Sequence, residues 1–275
     1  MAPVHVRQSP MVLRIHTQRS AANTLYTANV HSKLKIEKEP IGWNDIAQIA
    51  EDYSEQQIIF RGVVNYEYEL IPAIGRKRAR VNVIDPSQSD PFLYDDYRAM
   101  IDRFRREAVP HMDNLPDRTD DFESEEWECI GRHHGLATRL LDWTVSPLIA
   151  AYFATEKSGI VDDVKTDAAI YGLKYEHIDK ENRNIQTDDR EVHIYIPSHL
   201  TKRVIAQSGL FTIHNFPEIP FDSEKLIKWK ILSDDCFQIR KLLSMCGFNR
   251  ATLFPDLDGI AKNLKWLYKW QRPNM

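Results

Sequence analysis

Apolar residues recur at helical spacing in some parts of this chain and alternate or cluster in others. Trp43–Tyr53 places Ile46, Ile49 and Ala50 on one helical face. Phe92–Ala108 places Met100, Ile101, Phe104 and Ala108 on one face, with charges opposite. Pro147–Ala154 is almost wholly apolar and predicts a buried helix, with Ser146 as N-cap and Pro147 at its first position. A further helix is expected over Asp234–Cys246, capped by Ser233 or Asp234 and stopped by Gly247. Phe254-Pro255-Asp256 opens a last helix with Ile260, Leu264 and Leu267 inward. Gln57–Val64, Ala168–Tyr175, Glu191–Pro197, Val204–Ile213 and Lys225–Leu232 are enriched in β-branched and aromatic residues and read as strands. Helices gather before strands, with a helical close. This order predicts an α+β fold with a mainly antiparallel central sheet flanked by helices, not alternating βαβ units. Residues 1–40 are polar and weakly periodic and read as an N-terminal arm, leaving 41–275 as a single domain.

Composition narrows the class. The chain has 275 residues, 43% hydrophobic and 28% charged, an ordinary balance for a globular protein. No apolar run approaches the ~20 residues that span a bilayer, so no membrane partner is expected. Cys129, Cys236 and Cys246 leave an odd count without metal-binding spacing, which points to the reduced cytoplasm and away from a disulfide framework. The net charge of −4 supplies no global field for nucleic acid, though it excludes no local basic groove. The sequence holds no GxGxxG, no Walker loop and no GxSxG elbow, which argues against dinucleotide-fold, P-loop and serine-hydrolase chemistry.

The densest chemistry lies between Gly131 and Ser146, which includes His133, His134, Thr138, Arg139, Asp142 and Thr144. A polar stretch feeding a helix N-terminus is a natural anion site, so a phosphate- or pyrophosphate-bearing ligand is the first expectation. Arg61 stands at a strand end before Gly62, where a guanidinium can enter a cleft and grip phosphate in a fork; a structural pairing with a carboxylate is the competing reading. Adjacent histidines point apart on any regular element, so no metal is expected; either ring can orient a hydroxyl or act as acid or base, or simply be hydrogen-bonded in a tight loop. Asp142 has Arg139 or Arg61 as partner, with Arg139–Asp142 favoured as structural and Thr144 and Ser146 lining the site. Gln207, before Gly209, can hold a hydroxyl or amide, or lie on an edge strand.

These residues carry a resemblance. Phe60-Arg61-Gly62, Leu70-x-Pro72, Arg76, the run from Gly131 to Thr144, Ala151-Tyr152-Phe153-Ala154, Gln207-x-Gly209-x-Phe211-Thr212 and Leu253–Gly259 together resemble the FRG domain family, named for Phe-Arg-Gly, over roughly residues 41–265. Gly131-Arg132 and His134 depart from the Gln-His-Tyr type of run more usual there. The order Arg61-Gly62, then Thr144-Val145-Ser146 before Ala150–Phe153, then Gln207 is also similar, more weakly, to ADP-ribosyltransferases of the Arg-Ser-Glu type. That resemblance implies an ADP-ribosyltransferase-like fold and NAD as co-substrate. Arg61, His133 and Gln207 would be catalytic, with Gln207 standing where the catalytic Glu belongs. Arg61, Gly62, Thr138, Arg139, Thr144 and Ser146 would bind the cofactor. A neutral Gln lacks the charge of Glu, so Glu191 and Glu218 are alternative carboxylates.

The resulting expectation is an NAD-dependent ADP-ribosyltransferase acting as a toxin or anti-phage effector on a nucleic-acid or protein acceptor, with a cognate antitoxin as possible partner. The alternative is a non-catalytic module that binds a nucleotide or phosphorylated ligand and signals. A nucleic-acid-cleaving toxin is weaker still, because no paired acids stand out.

Overall fold

The computed structural model describes residues 35–36, 39–76, 94–112, 125–175, 184–187, 190–197 and 201–271, all within one compact unit, Lys33–Met275. In chain order these form β1 (Lys35–Ile36), α1 (Trp43–Asp52), β2 (Ile58–Val63), α2 (Tyr94–Ala108), α3 (Glu125–His133), β3 (Leu140–Thr144) and α4 (Pro147–Thr155). There follow β4 (Ile160–Val161), β5 (Val164–Lys165), β6 (Ala168–Lys174), β7 (Asn184–Thr187), β8 (Arg190–Tyr195), α5 (Lys202–Ala206) and β9 (Gly209–His214). The chain closes with β10 (Leu226–Ile231), α6 (Ser233–Met245), α7 (Arg250–Leu253) and α8 (Leu257–Gln271). Eight strands form one sheet in the order β1-β10-β6-β2-β3-β9-β8-β7, while β4 and β5 make a separate hairpin. Every pairing in the large sheet is antiparallel except β1 with β10. The fold is therefore α+β with a mainly antiparallel sheet, as the sequence pattern predicts. Most of the 1–40 arm lies outside the described residues, but β1 falls within it and joins the sheet edge.

The period-2 alternation of strands sorts side chains to two faces. On one, Phe60, Ile170 and Trp229 pack under α1, α4 and α6 through Ile46, Ile49, Ile149, Ala150, Ile239 and Leu243. On the other, Ile59, Val63, Leu141, Trp143 and Tyr171 pack with Leu70 and Phe221 from two loops. α4 is buried nearly all round, which explains why its sequence carries no polar stripe. It crosses β2 so closely that a Cβ on Gly62 would lie 1.9 Å from the Ala150 carbonyl oxygen. Gly62 thus serves the packing of helix on strand.

Four local expectations are corrected. Val204 and Ile205 read as strand, but Thr201 caps them into α5 by accepting from the Val204 N–H at 3.4 Å, and Ser208 at φ 45° turns the chain before β9 begins. The stretch expected to be a polar loop from Gly131 is the end of α3, a turn at Gly135 (φ 92°) and the whole of β3. The N-cap of α6 is Leu232 with no side-chain cap; the Ser233 N–H instead donates to Asp167 Oδ1 at 2.9 Å. In α8, Ile260 and Leu264 are exposed (46% and 59%), because Gly259 against Phe254 and Trp266 against Phe237 set the seated face.

Candidate functional site

β2 and β3 pair at a single position, Phe60 opposite Thr144. The next residue of β2, Arg61, sends its guanidinium across to β3, where Nη1 donates to the Asp142 main-chain oxygen at 2.6 Å and to Asp142 Oδ2 at 3.4 Å. Arg132, from the last turn of α3, donates through Nη2 to the same Oδ2 at 2.8 Å and through Nε to Oδ1 at 3.4 Å. A third guanidinium, Arg76, is fixed by Nε donating to the Ile71 oxygen at 3.0 Å and feels both Arg132 and Asp142. Two guanidinium groups thus share one carboxylate, with Arg76 close enough to feel their charge.

The electrostatics record that imbalance. Burial resists ionisation of Asp142, yet the charges of Arg132 and Arg61 outweigh it and hold the carboxyl below the ordinary range. Asp142 raises Arg132 above the usual guanidinium value. Arg61 is pulled down, first by burial and further by Arg132 and Arg76, against the opposing pull of Asp142. Burial and then Arg132 likewise lower Arg76. Guanidinium groups remain protonated at neutral pH even so, and the corner carries positive charge in excess. Side-chain exposure is 13% for Arg61, 23% for Arg132 and 42% for Asp142, so the cluster is crowded but reached by solvent.

The other expected site residues divide into groups. Thr144 Oγ donates to the Gln207 main-chain oxygen at 2.7 Å and accepts from the Ser146 N–H at 3.2 Å. Gln207 Nε2 donates to the Leu253 oxygen at 3.0 Å. Thr144, Ser146 and Gln207 are therefore brought together, by the adjacency of β3 and β9. Ser146 does cap α4, accepting from the Ile149 N–H at 3.3 Å, and its carbonyl takes the Ala150 N–H. Pro147 has no N–H to offer. These first-turn donors are spent within the chain, so they are not free for an anion, and the positive charge of this corner belongs to the arginines.

Arg139 corrects a pairing. It was expected against Asp142 but is buried against Glu128, with Nε at 3.0 and 3.2 Å from the two carboxylate oxygens, and it also donates to Asn215 Oδ1 at 3.1 Å. Tyr97 OH donates to Glu128 Oε2 at 2.6 Å. Leu140 and Leu141, between Arg139 and Asp142, enter the core, and Thr138 and Arg139 are themselves buried (0% and 7% exposed). His133 packs its ring edge on Phe211 and sits 3.3 Å from Thr201 Oγ through Nδ1. Burial, partly opposed by Asp142, pushes its pKa down to about 4, so it is neutral at pH 7. It borders a small crevice with Cys129, Ile130, Thr201 and Val204, where burial raises the Cys129 thiol far above its ordinary range. A neutral thiol beside a neutral imidazole is not an activated nucleophile pair. Glu191 has a main-chain place on β8, and Glu218 lies in the loop after β9.

Arg132 is the main residue that pattern reading passed over; its only trace there is as a departure in the Gly131 run. An arginine one helix end away from an aspartate on the following strand was the available signal.

An α+β protein with a central antiparallel sheet and a cationic corner at the Phe-Arg-Gly strand is the class these features define. The family model of the FRG domain matches residues 56–162, so the chain carries an FRG domain spanning β2 through β4 and including Arg61, Arg76, Arg132 and Asp142. No curated protein and no solved structure matched. Among the described residues no helix is long and apolar enough to cross a membrane.

Proposed function

We propose that this protein binds a phosphate-bearing ligand of the nucleotide class at the Arg61–Arg132–Arg76 corner. One observation carries the reading: two guanidinium groups, Arg61 and Arg132, share the single carboxylate of Asp142, leaving charge that a phosphate or pyrophosphate would neutralise. Asp142 accepts from both Arg61 and Arg132, so an anionic ligand would compete with this carboxylate for the same guanidinium groups. Titration calorimetry with pyrophosphate, ADP-ribose and NAD tests it. Saturable binding that Arg61→Ala weakens by roughly 10- to 100-fold is expected; no binding of any of the three, or identical binding by the variant, contradicts it.

ADP-ribosyl transfer from NAD is the second reading, and one observation favours it. Arg61 and Thr144 lie on β2 and β3 and Gln207 lies two residues before β9, three neighbouring strands, with Thr144 Oγ donating to the Gln207 main-chain oxygen. In such a reaction the bond from ribose C1′ to nicotinamide breaks, nicotinamide leaves neutral, and the acceptor oxygen or nitrogen bonds to C1′ while losing its proton. The Arg61 corner would hold the phosphates and Thr144 and Ser146 would flank the ribose. Gln207, its Nε2 engaged with Leu253, would receive a ribose hydroxyl on its carbonyl oxygen. Incubation with labelled NAD and RNA, DNA or protein reads both nicotinamide release and label transfer. Absence of both from protein that binds NAD would leave the binding module as the function. A cytoplasmic toxin or anti-phage effector with a cognate antitoxin is the setting the family resemblance suggests, and the free Cys129, Cys236 and Cys246 suit that compartment. Growth arrest on expression, lost in Arg61→Ala, is the corresponding check.

A further inference from the structure

The last helix, α8, lies outside the stretch matched by the family model and is seated by one face alone. Gly259 comes so close to the preceding turn that a Cβ there would lie 1.9 Å from the Phe254 oxygen. Trp266 packs against Phe237 with ring centroids 6.3 Å apart, and the Arg240 guanidinium stands 4.5 Å from the centre of its ring. The opposite face carries Leu257, Ile260, Leu264 and Tyr268, which are 84%, 46%, 59% and 57% exposed. At 3.6 residues per turn these four and the exposed Ala261 fall within about 100° of arc, a continuous apolar ridge along the helix. Monomeric proteins rarely leave a contiguous apolar patch open to water unless something covers it.

The charges beside the ridge select the cover. Lys265, Lys269 and Lys262 occupy the next shoulder of the helix, all exposed. The acid on that shoulder is Asp258, in the first turn and 3.7 Å from Lys262. A second copy packed antiparallel on the ridge would set these lysines against their own counterparts. A convex ridge gives a folded partner no groove to enter, whereas lipid moulds around side chains that stand proud. An apolar ridge, lysine stems along its boundary and a tyrosine with one wet end are the parts of a helix that lies in a membrane interface.

We infer that α8 seats this protein on an anionic lipid surface, with the Leu257–Tyr268 ridge at the acyl boundary and Lys262, Lys265 and Lys269 against the lipid phosphates. Lying against a bilayer needs none of the ~20-residue apolar length required to span one. This surface is independent of the arginine corner.

Co-sedimentation of the full chain with vesicles of phosphatidylcholine, with and without phosphatidylserine, tests it. Wild type is expected to bind the phosphatidylserine vesicles, and to bind phosphatidylcholine alone roughly tenfold or more weakly. The double variant Ile260→Gln/Leu264→Gln should weaken binding to the anionic vesicles by roughly tenfold or more, and Lys265→Gln/Lys269→Gln by roughly 10- to 30-fold, each with little change in thermal melt. Arg61→Ala should bind these vesicles as wild type does, which separates docking through α8 from attraction through the arginine corner. Wild type that sediments with neither vesicle overturns the inference and leaves the ridge to a protein partner. Equal binding to both vesicles, unchanged binding by either folded α8 variant, or loss of binding in Arg61→Ala overturns it as well. If one α8 variant fails to fold by circular dichroism, the other decides.

Discussion

Two arginine–carboxylate assemblies lie within one turn of chain of each other and are built on opposite principles. Glu128 and Arg139 form a balanced pair, 4% and 7% exposed, whose remaining valences are taken by Tyr97 and Asn215. Asp142 is overloaded, shared by Arg61 and Arg132 with Arg76 nearby, and stays 42% exposed. A buried pair whose hydrogen bonds are complete ties α2, α3 and the start of β3 together and has little left to bind with. A half-open carboxylate with too many cations has positive charge left over, which the proposed anionic ligand would neutralise.

Removing the two carboxylates separates the assemblies most strongly. Glu128→Ala leaves Arg139 buried without its counter-ion and should cost about 3–5 kcal/mol of stability. Asp142→Ala, at a site solvent still reaches, should cost only about 1 kcal/mol. Denaturant midpoints compare them, and equal losses would dissolve the distinction.

Acid tests both regions at once. His133 is held neutral with a folded pKa of about 4, and His214, which senses Arg61 and Arg139, with one of about 3; burial is the main cause in each. The unfolded chain takes up these protons first as pH falls below 6.5, so stability should be full above that pH and decline by a few kcal/mol toward pH 4. Asp142 acts in a lower window: its depressed folded pKa contributes stability above the unfolded value of 3.8, lost as pH falls through and below it. Urea melts at stepped pH should show the decline begin near 6.5 and flatten in His214→Phe.

Ligand affinity comes next in size. Arg61→Ala removes a charged donor and should weaken pyrophosphate binding by roughly 10- to 100-fold. Lys230→Ala, at a partly exposed pair with Asp167, should leave it unchanged. The smallest effect is expected from α8, where Leu264 is 59% exposed: Leu264→Gln should change stability by about 0.5 kcal/mol or less, measured by thermal melt.

Much of this architecture was legible in the sequence because it depends on periodicity. α1, α2, α4 and α6 and the strands β2, β6, β8 and β10 fall where apolar spacing and β-branched runs place them. The failures have local causes. A capping threonine and a positive-φ serine turned Val204–Ala206 into a helix, effects that side-chain enrichment does not register. β3 was hidden because its five residues include Asp142 and Thr144, polar positions that the site, not the core, requires. Arg61 was identifiable from the strand-end Arg-Gly pair. Arg132 and Glu128 were not, since their roles arise only when α3 folds back on β3 and brings residues ten and eleven apart into contact.

Under the proposed function, Asp142 competes with the anionic ligand for guanidinium groups in surplus. Calorimetric titration of pyrophosphate into wild type and Asp142→Asn tests it most directly. Removal of the carboxylate charge should tighten binding severalfold while lowering thermal stability. Unchanged or weaker binding by a folded Asp142→Asn protein would contradict it.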